Sequence, residues 1–359
     1  MKPIERLEAV FRFEQPDRVP LYDKLRNAEA IAHYAGEPFV MERGHEIGLK
    51  ACREILDCTA NPIYPQAERI DRLPDGFTWK REHWTSWIIE RPFSDVEGLA
   101  AWVRTEIERH DAFDPHADGW IDGVMARNQA LQAKLSPCLN LFGAGGVGLN
   151  GAYHYASLEL FCYLTVDQPA LTSRWLDAIF KANCRMLAAY DVRRLPHRFA
   201  MIGEDIASKT ATIFSPAFLR REFFPRLRAL VGMYHDLGFK VIFHSDGNLN
   251  AVLDDLVGAE IDGINPLETQ AAMDLRQIKE HYGKRLVLVG GMDASALLPL
   301  GTVDEVRAGT RQALRIAAPG SGYVLGSTTE LNNAIPAQNI IAMWETALRD
   351  GRYPLHAGA

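Results

Sequence analysis

Short apolar runs, polar turns and amphipathic stretches alternate along the chain from Cys138 onward. The runs at 138–142, 199–202, 240–243, 263–265, 286–289 and 323–326 read as strands, with an earlier one at 19–22. The intervening helices have identifiable ends. Ser215-Pro216 is an N-cap followed by proline at the first helical position, and Phe218, Phe223, Leu227, Leu230, Val231 and Tyr234 form one apolar stripe behind it. Gly238 follows where a left-handed C-cap residue belongs. Thr302-Val303-Asp304-Glu305 is a capping box that opens a helix through Arg315. Strand–helix alternation with short connections predicts parallel strands and right-handed crossovers. Seven visible strands, with an eighth hidden in the irregular N-terminal half, predict an α/β chain folded as a closed (β/α)8 TIM barrel. An open doubly wound sheet is the competing arrangement.

Residues 1–137 have a different texture, in which helical patches alternate with aromatic-rich stretches. Phe77-Thr78-Trp79-Lys80 and Trp84-Thr85-Ser86-Trp87-Ile88-Ile89 alternate bulky and polar residues and read as a hairpin. No Gly-, Ser- or Pro-rich linker divides the chain. The expectation is a single domain over 1–359, with helical and hairpin additions plus the first strand in 1–137 and regular repeats in 138–350.

Composition narrows the function classes. Of 359 residues, 47% are hydrophobic, enough for a sizeable core. The net charge of −7 is interspersed and leaves no basic stripe, which argues against nucleic acid and anionic membrane as partners. The five cysteines form no CxxC pair, and no signal-like or membrane-length apolar run occurs, so a reduced, cytoplasmic setting is expected.

The candidate chemistry sits where strands end. His244-Ser245-Asp246-Gly247-Asn248 follows the run 240–243, placing an imidazole and a carboxylate on one side of a strand's C-terminal end. Glu204-Asp205, with Lys209 beyond, follows 199–202. These adjacent carboxylates repel and require compensation by Lys209, a metal or a shared proton. Asn265 and Glu268 follow the next strand, then Asp293, then Ser327 and Glu330. In a barrel all of them converge on one face. Capping fits Asp293 as well as function does, and Asn265 and Glu268 also fit a turn around Pro266. Gly143-Ala144-Gly145-Gly146-Val147-Gly148 matches GxGxxG, but the segment after it does not read as a clean helix. It is expected to be a flexible loop over the barrel mouth.

These motifs, together with Pro16-Asp17-Arg18-Val19-Pro20, Phe223-Phe224-Pro225, Gly291-Met292-Asp293 and Pro336-Ala337-Gln338-Asn339, resemble the uroporphyrinogen decarboxylase superfamily. That superfamily also contains methylcobalamin:thiol methyltransferases. The resemblance implies a (β/α)8 barrel with a cleft at the strands' C-terminal ends. The Arg-Gln-Ala-Gly-Arg signature of true uroporphyrinogen decarboxylases is replaced here by Tyr22-Asp23-Lys24-Leu25-Arg26-Asn27. Asp246 stands where the thiol methyltransferases carry the first zinc-binding cysteine, and the Ser327 region where they carry the second.

The resemblance therefore implies a divergent member. The expected activity is methyl transfer from a small methylated molecule, with a corrinoid (cobalamin) protein as methyl carrier. His244, Asp246, Glu204 and Asp205 are its expected catalytic groups. His244, Asp246 and Glu330 are the expected zinc ligands, and Lys209, Asn265, Glu268, Asp293, Ser327 and Arg26 the expected substrate contacts. A homodimer is compatible with this reading. The alternative is a metal-free decarboxylase or lyase acting on a carboxylated or aromatic substrate, in which the same acid–base groups work and Arg26 or Lys209 holds the anion. A non-catalytic binding protein on the same barrel is the third reading.

Overall fold

The computed structural model describes residues 1–62 and 65–355. Five parallel strands, Phe199–Gly203, Lys240–His244, Gly263–Asn265, Val287–Met292 and Tyr323–Ser327, lie side by side in chain order. Three shorter segments continue the ring. Tyr22 N donates to Leu325 O and Leu325 N to Pro20 O, both at 2.9 Å, which joins the last strand to the first segment. Cys58 N donates to Leu21 O at 3.1 Å, and Cys58–Thr59 pairs in parallel with Leu139–Asn140. Phe142 N to Phe199 O and Met201 N to Phe142 O, at 2.9 Å each, complete the circuit. Eight segments thus close a parallel barrel. The eighth is Cys58–Thr59, too short to leave a periodic signature in the sequence.

Side chains alternate across these strands and separate two apolar layers. Tyr22, Cys58, Leu139, Leu141, Phe199, Ile242, Val287, Val289 and Val324 fill the interior. The N-terminal helix Pro3–Phe11 contributes Leu7, Val10 and Phe11 to that same cluster and plugs one end. The alternate residues, among them Leu21, Ala200, Val241, Phe243, Ile264, Leu288 and Leu325, pack outward against the helices.

The Pro16–Pro20 motif has a structural role. Asp57 is fully buried and accepts from Arg6 Nη1 at 3.0 Å, Arg18 Nη1 at 2.6 Å and Leu21 N at 2.8 Å. Asp17 in turn holds Arg6. The hairpin forms as expected, with strands Thr78–Arg81 and Ser86–Glu90, and gains a third strand, Arg69–Arg72.

Two expectations are corrected. The stripe from Phe218 to Tyr234 is split between helices Pro216–Glu222 and Phe224–Asp236. Pro225 supplies no N–H, so the chain restarts a helix there instead of continuing one. The segment after the glycine loop does form a helix, Leu149–Ala156. Gly238 takes φ +80° directly after the C-cap residue Leu237, and the capping-box helix runs Val303–Ala317. No helix among the described residues is long and apolar enough to cross a membrane.

Candidate active site at the mouth of the barrel

Strand parity decides which of the strand-end groups meet. Ile242 faces the barrel interior, so His244 does too, and Asp246 follows two residues on. Phe199 and Met201 face inward on the neighbouring strand, and Asp205 continues that series. His244 Nε2 accordingly lies 3.9 Å from Asp205 Oδ1 and 3.9 Å from Asp246 Oδ1. One donor atom from each of the three residues falls within 4.8 Å of the others. Asp246 N donates to Asp205 Oδ1 at 3.0 Å and fixes the two loops relative to each other.

Asn265, buried on the next strand, sets the imidazole. Its Nδ2 donates to Val289 O at 3.1 Å, so its Oδ1, 2.6 Å from His244 Nδ1, is the acceptor. His244 therefore carries its proton on Nδ1 and presents the Nε2 lone pair to the two carboxylates. Burial, reinforced by the Lys24 charge, holds the His244 pKa low and keeps the ring neutral. A neutral imidazole anchored through its other nitrogen is the usual state of a metal ligand.

The electrostatics point the same way. Burial, then the charges of Asp205 and Glu268, push Asp246 up to about 7 against the pull of Lys24. Asp246 Oδ1 is buried without a hydrogen-bond partner. Glu268, buried, accepts from Gly247 N at 3.0 Å, and Glu330 pairs with Arg26 at 2.9 Å. Burial would raise Glu330, but the Arg26 and Lys24 charges outweigh it and hold its pKa low. Asp205, Asp246, Glu268 and Glu330 thus gather near Lys24, with Arg26 engaged on Glu330, so carboxyl groups outnumber cations at the mouth among the described residues. A divalent cation would relieve that crowding. One imidazole nitrogen with carboxylate oxygens is a donor set that suits it.

Glu204 does not join this cluster, because the residue beside Asp205 must point to the other side of the sheet. It is 2% exposed, and its carboxylate accepts from Gly148 N at 2.6 Å and Asn150 N at 2.7 Å. Burial, only partly offset by these donors, pushes it up to about 7. The GxGxxG loop is therefore no free cover over the mouth. Its amides and the first turn of the helix after it form an anion cradle that the chain's own glutamate fills. This bears on the paired carboxylates: backbone N–H groups partly compensate Glu204, and Lys209 forms no ion pair with it among the described residues.

The remaining predicted residues fall in different places. Lys209 is exposed on the turn beyond Asp205. Asp293 accepts from Ser295 N, Ala296 N and Gln270 Nε2 and acts as a local cap. Ser327 donates to the buried Asp23, which also accepts from Trp344 Nε1 at 3.3 Å. The three-residue donor cluster contains Asp205, while Glu330 stands beside it engaged with Arg26. Lys24 lies in no strand-end motif of the sequence, yet it belongs to the mouth. Tyr22 faces inward, and the same parity puts Lys24 at the mouth, within electrostatic reach of His244, Asp246 and Glu330.

Three comparisons place the chain. No curated protein matches it. Among solved structures, the "methyltransferase from Methanosarcina mazei" is similar, with a TM-score of 0.67 and 19% identity over 97% of this chain and 99% of that one. The profile of the family described as uroporphyrinogen decarboxylase (URO-D) matches residues 103–349, well over half of the chain. The chain belongs to the uroporphyrinogen decarboxylase family.

Proposed function

We propose that this protein is a methyltransferase that takes a methyl group from the oxygen or nitrogen of a small molecule and delivers it to a corrinoid protein. His244, Asp205 and Asp246 would hold a zinc ion, which would supply Lewis acidity to the transfer. The observation that carries this reading is the neutral, Asn265-anchored His244 facing two carboxylates, one with an orphaned buried oxygen. The methyltransferase of similar fold is consistent with the class.

Breaking the C–O or C–N bond leaves its electron pair on the heteroatom, which must be stabilised or protonated. Bound zinc would supply Lewis acidity for that purpose. Asn265 fixes the imidazole, and Asp205 and Asp246 complete the donor set. Lys24 places a positive charge beside the group that becomes negative. The ring of apolar side chains below the mouth, Tyr22, Ile242 and Val289 among them, keeps water from the reacting carbon.

A second reading, metal-free decarboxylation, is favoured by one observation: Asp246, pushed up to about 7, is poised to exchange a proton. In that case Lys24 and Arg26 hold the substrate carboxylate. Metal analysis separates the two readings. Stoichiometric zinc that is lost in His244→Ala, together with conversion of cob(I)alamin to methylcobalamin when a methoxyarene or methylamine is supplied, supports methyl transfer. A metal-free protein that decarboxylates its substrate and leaves cob(I)alamin unchanged sinks it.

A further inference from the structure

Glu204 also forms part of the wall of a cavity of about 370 Å³ on the outer side of the barrel, remote in direction from the triad. Helices Val96–Asp111, Leu149–Ala156 and Pro169–Ala189 line this open cavity and supply three aromatic side chains, Trp102, Tyr155 and Trp175. Trp175 is 2% exposed, and Trp102 meets it edge-on at 5.7 Å between ring centres. The charged groups at the rim cancel: Glu106 is ion-paired with Arg109. His110, kept low by burial and by Arg109, is neutral.

Glu204 is the one acidic group of this lining without an ion-pair partner among the described residues. The groups that hold Glu204 are backbone N–H dipoles, not a cation. A buried carboxyl group without a cationic partner, in a cavity lined by three aromatic side chains, is complementary to a monocation with apolar substituents. The volume lies at the lower end of small-molecule sites.

We propose that this cavity is a second ligand site, separate from the triad, which binds a small tertiary or quaternary ammonium between Trp102, Tyr155, Trp175 and Glu204. The site also has a route to the triad. Asn150 and Tyr153 lie on the helix that lines the cavity; Tyr153 Oη donates to Asp205 O at 2.8 Å and Asp205 N to Asn150 Oδ1 at 3.4 Å. This inference does not depend on the methyl-transfer reading.

Tetramethylammonium chloride, titrated into the full-length protein by calorimetry and followed by tryptophan emission, tests it. Saturable one-to-one binding is expected, with tert-butanol, the uncharged control of similar shape, binding at least about tenfold more weakly. Glu204→Gln should weaken tetramethylammonium by about tenfold or more. Because that change gives up one acceptor for the loop amides, Trp102→Leu and Gly151→Phe repeat the test with the carboxylate intact. Gly151 lines the cavity and has open space where a Cβ would stand, so a larger side chain can be introduced there without a clash at Cβ. Absence of saturable binding, equal binding of tert-butanol, or unchanged affinity in both Trp102→Leu and Gly151→Phe would each overturn the proposal.

Discussion

His244 shows how little a residue's identity says without its partner. The same imidazole could donate or accept at the mouth, and Asn265 decides by accepting from Nδ1 while its own amide is tied to Val289. Asn265→Leu should lower zinc affinity by about 10–100-fold, and Asn265→Asp, which keeps an acceptor, should recover most of it. Competition with a chelator of known affinity measures both. A leucine variant that binds zinc like the wild type would show that the tautomer does not matter. Glu204 and Asp205 make the complementary point. They are neighbours in sequence and face opposite sides of the sheet, so one meets the triad and the other meets the glycine loop. Spacing alone pairs them, and strand parity separates them.

At the scale of elements, glycine and proline decided where the sequence pattern misled. Pro225 breaks one apolar stripe into two helices. Gly148 stands at φ +100° at the start of helix Leu149–Ala156, and a Cβ there would lie 2.3 Å from Ile179 Cγ2. Gly148→Ala should therefore lower stability by about 1–3 kcal/mol and loosen the grip of the loop on Glu204. The denaturation midpoint and amide exchange at Gly148 and Asn150 report the two effects. The Pro16–Pro20 segment acts as a structural clamp. Asp57→Ala leaves Arg6 and Arg18 facing an empty, buried position and should cost about 3 kcal/mol or more by urea titration. A loss below about 1 kcal/mol would mean that water replaces the carboxylate.

For the whole molecule, barrel closure rests on short segments whose pairing is sparse and whose side-chain ties are correspondingly important. Asp23, buried, joins the first segment to the last strand through Ser327 and to the C-terminal helix Ala337–Asp350 through Trp344. Burial pushes its pKa from an ordinary 3.8 up to about 7, against the donors from Ser327 and Trp344. The native state thus keeps this proton where the unfolded chain has lost it. That contribution is fully present below about pH 4 and disappears as the pH rises through about 7. Relative to Asp23→Asn, the wild type should therefore lose roughly 3 kcal/mol of stability between pH 5 and 8. Thermal melts of both proteins across that range check it, and parallel curves would show that Asp23 stays ionised throughout. Saturating zinc should raise the melting temperature of the wild type and leave that of His244→Ala unchanged.

From the sequence alone, the periodic strands after Cys138, the helix caps and the polar strand ends were legible, because burial on a regular backbone imposes its period on the residues that fold it. The family motifs placed His244 and Asp246 together for the same reason, since parity along one strand is local. What the tertiary structure decided is non-local. Cys58–Thr59 becomes a strand only because Leu21 and Leu139 bring edges to it. Asp205 turns toward the triad while Glu204 turns into the glycine loop, and Lys24 reaches the mouth from more than 200 residues away in sequence. Which charges face one another depends on how the ring closes, and no window of sequence contains that closure.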